Sequence, residues 1–215
     1  MFKPINILIL VSGNGTNLQV LLDAGARGEF GGVLASGKVI IFRIAGVLSD
    51  RPGIYALERA KTAGIHSFIE KPDFGLSKNE RRMELSDRIL RLCREKEIHL
   101  IVCAGFLSIL TGDIIEEYAG RMINLHPALL PKFGGQSMYG EHVHRAVLAS
   151  GEKESGCTVH IVDTGIDTGP VLLQRKVPVL PEDTPESLAE RVHVEERIAI
   201  VEAVKMMVAR LGGED

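Results

Sequence analysis

The run Ile7–Val11 (ILILV) is apolar at every position, without alternation, and breaks at once into Ser12-Gly13-Asn14-Gly15-Thr16-Asn17. A strand that reads this way is covered on both faces, which happens mainly in parallel sheets whose crossover helices lie above and below. Leu100–Cys103 (LIVC) repeats the pattern. Along the chain, short β-rich apolar runs alternate with longer stretches of helical period, so the expected class is α/β: a mainly parallel twisted sheet with helices on both faces. Strands are expected at Asn6–Val11, Val39–Leu48, His66–Glu70, Leu100–Cys103, Met122–Leu125, Thr158–Val162 and Val171–Val177. Helices are expected at Leu18–Ala26, Tyr55–Ala63, Asn79–Lys96, Gly112–Tyr118, His142–Ser150 and Pro185–Ala209. The last opens on Thr184-Pro185 and closes before Gly212-Gly213, ordinary start and stop signals. Gly28–Lys38 and Pro131–Glu141 read as loops.

The 215 residues show no repeat, low-complexity tract or Pro/Ser-rich linker, and are expected to form one domain over 1–215. Lys and Arg number 25 against 28 Asp and Glu, a formal charge of −3, which gives no footprint for nucleic acid or an anionic membrane. The three cysteines, Cys93, Cys103 and Cys157, form no C-x-x-C pair, so no metal is expected. The apolar run near the start is too short for a membrane span and has no cleavage signal after it. A cytoplasmic location follows as an expectation.

Three stretches carry chemistry. Ser12–Asn17 follows a buried strand and opens a helix, so its free N–H groups can cradle a phosphate. It lacks the third glycine of G-x-G-x-x-G and the lysine of a P-loop, and an ordinary strand-to-helix turn capped by Thr16 or Asn17 fits it equally. Asn124-Leu125-His126-Pro127 ends a strand, where open parallel sheets bind ligands, although a histidine at a strand end also serves as a hydrogen-bonded structural residue. Asp163-Thr164-Gly165-Ile166-Asp167-Thr168-Gly169-Pro170 offers two acids in a Gly-rich loop, as a general base or as a solvated turn; it lacks the EF-hand pattern. His160 either faces the site or is a core histidine, and His142, His144 and His193 read as helix-surface residues. An amide, an imidazole and a carboxylate at strand ends and loops suit acyl-type transfer, which needs an oxyanion donor and a proton acceptor.

Four segments in order, ILILVSGNGTNLQ, IVCAGFLSIL, MINLHPALLPKF and GCTVHIVDTGIDTGPVLLQ, resemble the phosphoribosylglycinamide formyltransferases of purine synthesis, over about residues 6–205. The resemblance implies a Rossmann-like domain that moves a formyl group from 10-formyltetrahydrofolate, a co-substrate, to the amine of glycinamide ribonucleotide. It implies a catalytic trio at Asn124, His126 and Asp167 and a phosphate cradle at Gly15, Thr16 and Asn17. Glu196 would meet the amino end of the ribonucleotide. The folate would lie on Phe106, Leu107, Ser108, Ile109 and Leu110, on Asn124, on the 163–167 loop with Asp163, and near Arg82. Asn124 would donate to the developing oxyanion, His126 as imidazolium would share that task, and Asp167 would hold His126 charged and relay the amine proton through water. The expected partners are small molecules only, for a monomer or homodimer.

The chain departs from the pattern in a longer GGQSMYG segment after Pro131-Lys132-Phe133, in a longer Gly28–Lys38 loop, and in Arg197 and Val201 where the family usually has His and Pro. Arg197 is a candidate contact for the ribonucleotide phosphate. The rivals are a formyltetrahydrofolate hydrolase and a degenerate relative that only binds nucleotide. Methionyl-tRNA formyltransferases carry an additional C-terminal domain and a basic RNA surface, neither of which is read here. No G-x-S-x-G elbow supports acyl-enzyme chemistry.

Overall fold

The computed structural model describes residues 4–33 and 37–213. Strands β1 (Ile5–Val11), β4 (Phe42–Ser49), β5 (Ser67–Ile69), β6 (Leu100–Cys103), β7 (Met122–His126), β8 (Glu154–Ile161) and β9 (Val171–Pro178) form one seven-stranded sheet in the order β5-β4-β1-β6-β7-β8-β9. The pairings from β5 to β7 are parallel; β8 runs antiparallel to β7, and β9 to β8. The helices are α1 (Thr16–Ala26), α2 (Tyr55–Thr62), α3 (Lys78–Glu95), α4 (Asp113–Glu117), α5 (Glu141–Ala149) and α6 (Pro185–Gly212).

Alternate residues of β1 enter opposite cores, which is why the strand is apolar throughout. Ile7, Ile9 and Val11 pack with Leu18, Leu21, Ala56, Val147, Ile200 and Val204 from α1, α2, α5 and α6. Leu8 and Leu10 pack with Leu85, Ile89, Cys93 and Ile114 from α3 and α4. At about 25 cal/mol per Å² of apolar surface removed from water, this two-sided burial is the main stabilising contribution to the sheet.

The expected strand over Val39–Leu48 divides in two: β3 (Val39–Ile40) pairs antiparallel with β2 (Gly32–Val33), and only Phe42–Ser49 joins the main sheet. The expected Gly28–Lys38 loop therefore contains one strand of a short ribbon; its residues 34–36 lie outside the described residues. Helix α3 starts on a reciprocal cap between Ser77 and Glu80. Helix α6 starts on Thr184 and Ser187 with Pro185 in the first turn, and ends at Gly213 in the left-handed conformation.

The chain leaves β1 toward β4 and β5, then returns to the other side of β1 as β6 and β7. That reversal opens a crevice at the carboxyl ends of β1 and β6, the usual ligand position in such sheets. Across it, the Ser12 N–H donates to the Gly105 carbonyl at 3.0 Å, and the Leu107 N–H donates to Ser12 Oγ at 2.8 Å.

Candidate active site

Above this crevice lies one cleft of about 1110 Å³. Ligand pockets run roughly 300–1,000 Å³, so it has room for two small molecules side by side. Gly15, Thr16, Asn17, Arg82, the 106–110 segment, Asn124, His126, Asp163, Asp167 and Glu196 all line it.

At the β1 end, Gly15 takes φ 71° and no side chain caps α1, so the first-turn N–H groups face the cleft. A Cβ on Gly15 would stand 2.7 Å from Ala56 Cβ, so both its conformation and its neighbour demand glycine. Arg59 fixes the loop from outside, donating to the Asn14 carbonyl at 2.8 Å and to Gln19 Oε1 at 3.0 Å. Glu196 reaches the cradle from α6. It is 5 % exposed, accepts from Asn17 Nδ2 at 3.4 Å and from His193 Nδ1 at 2.7 Å. The hydrogen bond to Glu196 raises the His193 pKa above the usual imidazole value.

At the β6 end, the 105–110 segment leaves the sheet with Gly105 and Leu107 exposed and Phe106 and Leu110 half-buried against the core. Ser108 Oγ donates to the buried Asp50 at 2.8 Å, and Thr111 N–H donates to Ser86 Oγ at 2.9 Å, which ties the segment to the β4 end and to α3. In the 163–167 loop Asp163 Oδ1 accepts from the Gly165 N–H at 3.0 Å and from Thr168 Oγ1 at 2.7 Å. That turn presents Asp167, whose φ of 57° is left-handed and costly for a residue with a Cβ.

Between the two ends the trio meets. Asp167 Oδ2 stands 3.4 Å from His126 Nδ1 and accepts from the Gly135 N–H at 3.0 Å; its Oδ1 accepts from Asn124 Nδ2 at 3.4 Å. His126 Nε2 faces the Phe133 carbonyl at 2.8 Å, and since a carbonyl only accepts, that nitrogen carries the proton. The turn after His126 is held by Thr158, whose hydroxyl donates to the Ala128 carbonyl at 2.6 Å and accepts from the Leu130 N–H at 3.0 Å. Gln174 donates to Leu130 O and Thr158 Oγ1, both at 2.9 Å. Gly134 lets the following loop close over Asp167: a Cβ there would lie 2.6 Å from Leu130 Cδ2 and 3.1 Å from Asp167 Cβ.

Electrostatics in the free site run against the expected imidazolium. His126 is 3 % exposed, and burial holds its pKa below the usual value, against the opposing pull of Asp167 and the Phe133 carbonyl. In the free site the ring is neutral near pH 7, with Nδ1 bare toward a carboxylate. Burial pushes the Asp167 carboxyl up, the Gly135 N–H donating to it pulls the other way, and on balance the carboxyl is held low. A neutral imidazole beside an ionised carboxylate is one proton short of a hydrogen-bonded pair, which makes the two together a proton acceptor.

Two other expectations need correction. His144 is not on the helix surface but 1 % exposed, because α6 crosses α5 there and sets the His193 ring 6.3 Å from it. His193 is half-exposed and lines the cleft, while His142 is exposed as expected. The Arg197 guanidinium turns back to the His193 carbonyl at 2.9 Å, and Arg197 is not among the residues lining the cleft. His160 resolves toward both its readings: it is buried and faces Asn124 and Asp167. Asp50 and Gly135 are missed in the sequence, and His193 is read there only as a helix-surface residue; the Gly134-Gly135 pair in the loop after β7 is the one available signal.

The family model of the formyl transferases matches residues 5–204. The chain is 41 % identical over 203 residues to the trifunctional purine biosynthetic protein adenosine-3 of Drosophila melanogaster, covering 94 % of this chain but only 14 % of that protein's length. It is 37 % identical over 196 residues to the phosphoribosylglycinamide formyltransferase of Escherichia coli, covering 89 % of this chain and 81 % of that one. Among solved structures, glycinamide ribonucleotide transformylase 1 from Symbiobacterium toebii superimposes with a TM-score of 0.81 at 36 % identity, covering 96 % of this chain and 89 % of the other. Sequence and fold agree along nearly the whole chain, and the protein belongs to the formyl transferase family.

Proposed function

We propose that the chain transfers a formyl group from 10-formyltetrahydrofolate to the primary amine of glycinamide ribonucleotide, the reaction named for its Escherichia coli relative. The observation that carries the reading is the meeting of Asn124, His126 and Asp167 along one cleft, between a helix N-terminus with no side-chain cap and the partly exposed 105–110 segment. The N–H groups of Gly15, Thr16 and Asn17 hold the ribonucleotide phosphate, since a helix N-terminus favours an anion. Glu196 takes the amino end. Phe106–Leu110 and the 163–167 loop hold the folate, with its pterin edge on backbone groups and Arg82 beside it.

In this reading the amine nitrogen forms a bond to the formyl carbon while the carbonyl electron pair moves onto oxygen. Asn124 donates one N–H to that oxygen, a contribution of about 3–4 kcal/mol to lowering the barrier. The His126–Asp167 pair takes the proton lost by the amine, at Nδ1 of His126. Collapse breaks the bond from carbon to the folate nitrogen, which leaves with the proton that His126 took from the amine and so returns the pair to its starting state. His126 works here as a neutral acceptor, and no group on the protein becomes acylated.

The protein acts on small molecules as a single cytoplasmic domain, a monomer or homodimer, without nucleic acid. No helix among the described residues is long and apolar enough to cross a membrane. The test is loss of 10-formyltetrahydrofolate with and without glycinamide ribonucleotide. Amine-dependent loss is expected. Equal loss without the amine makes the protein a hydrolase, and none at all leaves only binding.

A further inference from the structure

His160 belongs to no part of that mechanism, yet it is 2 % exposed and touches two of its three members. Its place is set by register: on the antiparallel β7–β8 pair Asn124 lies opposite His160, and His126 opposite Thr158. Directly opposed side chains on such a pair have Cβ atoms about 4.5–5.5 Å apart, so His160 cannot avoid the Asn124 amide.

Asn124 Nδ2, His160 Nε2 and Asp167 Oδ1 form a triangle with sides of 3.1 Å from Asn124 to His160, 3.4 Å from Asn124 to Asp167, and 3.5 Å from His160 to Asp167. Two assignments of protons are open. If His160 Nε2 carries a proton, the shortest side sets two donors against each other. If Nε2 is bare, the shortest side is an N–H···N hydrogen bond, the middle one a long N–H···O bond, and only the longest side is left without a hydrogen. The other ring nitrogen decides the same way: Nδ1 faces the Ile161 carbonyl at 3.0 Å, which only accepts, so the proton of the neutral ring sits there. Asp167 adds a further constraint, because an ionised carboxylate accepts only and keeps the nitrogen of the Asn124 amide turned toward it.

We infer that His160 is a positioning residue for formyl transfer: its bare Nε2 anchors one N–H of Asn124 and so aims the other, which Asp167 holds only loosely, at the oxygen of the reacting formyl group. The unequal sides of the triangle give the mechanism. The 3.1 Å bond persists, while the 3.4 Å bond is the one readily exchanged for a shorter bond to substrate. Without the anchor the amide rotates about its last bond and presents oxygen, an acceptor, to a developing negative charge. The inference rests on the transferase reading above, since it assigns Asn124 the oxyanion.

The two ring nitrogens allow a test in which anchoring and mere support give opposite rankings. In His160→Gln the side-chain oxygen can occupy the Nε2 position and accept from Asn124, but cannot also satisfy Ile161. In His160→Asn the shorter amide can donate to Ile161 as Nδ1 does, but cannot reach Asn124. Steady-state turnover of 10-formyltetrahydrofolate and glycinamide ribonucleotide by the full chain is expected to show His160→Gln within about fivefold of wild-type kcat. His160→Asn is expected to lose on the order of 100-fold in kcat, the scale of one misdirected oxyanion donor, with KM little changed. Equal losses, equal retention, the reverse ranking, or a loss confined to KM would overturn the inference. In the wild-type protein, ¹⁵N shifts of the His160 ring are expected to show Nδ1 protonated and Nε2 bare at pH 7.5; a proton on Nε2 overturns it even if neither variant folds. Wild-type turnover tests the transferase reading itself, so the two failures are distinct.

Discussion

Asp167 carries the most contacts of any residue in the site, and its backbone pays for the position with a left-handed φ. Asparagine adopts that conformation readily, so Asp167→Asn should keep the loop and its melting temperature while removing the charge that completes the proton acceptor. Turnover is expected to fall by about 10²–10⁴, the usual contribution of a positioned acid or base, as read by steady-state kinetics beside a thermal melt. His126 makes the pH dependence specific. The acceptor must be unprotonated, so kcat/KM should rise with pH through the free-site value of His126, which burial sets below the ordinary 6.5. A rate profile whose acidic limb has its midpoint above 6.5 would show that Asp167, not burial, controls the ring. Asn124 and His126 were legible as a pair because they stand two apart at the end of a strand, on one face. Their dependence on Asp167 was legible only through the family resemblance, and that on His160 not at all, since the contacts arise from a loop some forty positions on and from strand register.

At the level of elements, the site depends on turns that follow buried strands. Gly15→Ala would put a Cβ against Ala56 and force an L-residue to φ 71°, a strain of about 1–3 kcal/mol. KM for the phosphorylated amine should rise while KM for the formyl donor holds, which separates the cradle from the folate end. Thr158→Val removes the hydroxyl that pins the turn after His126 and leaves the Ala128 carbonyl without its partner in the interior. That should lower stability by roughly 1–3 kcal/mol in denaturant titration and reduce kcat together with it. The buried strands were plain in the sequence because two-sided burial removes alternation. The β2–β3 ribbon was not, because a Gly-rich stretch gives no period, and a two-residue strand is defined by its partner alone. Burial of His144 was hidden for a related reason: the core face of α5 shows in Val143 and Val147, whereas His144 is covered by α6 crossing above it.

For the molecule as a whole, the mainly parallel order from β5 to β7 and the helices on both faces follow from patterning alone, but the antiparallel return of β8 and β9 does not. That return is what brings Thr158, His160 and the Asp167 loop to the trio. The buried histidines also set how the fold responds to acid. His126 and His144 have folded-state values below the unfolded 6.5, so the unfolded chain binds protons first and stability falls as pH drops below 6.5. His193, raised by Glu196, acts with the opposite sign: its contribution is present below 6.5 and is lost as pH rises through its folded value. Melting temperature should therefore fall between pH 7.5 and 5.5, and fall more steeply in His193→Gln, which removes the opposing contribution. Direct transfer by the assembled trio is tested most sharply by a single turnover with ¹³C-formyl donor and glycinamide ribonucleotide, followed by NMR and intact-protein mass. The label should appear in the new amide as fast as it leaves the folate, with no mass gained by the protein and no signal in His126→Ala. A formylated protein, or label released as formate, would contradict it.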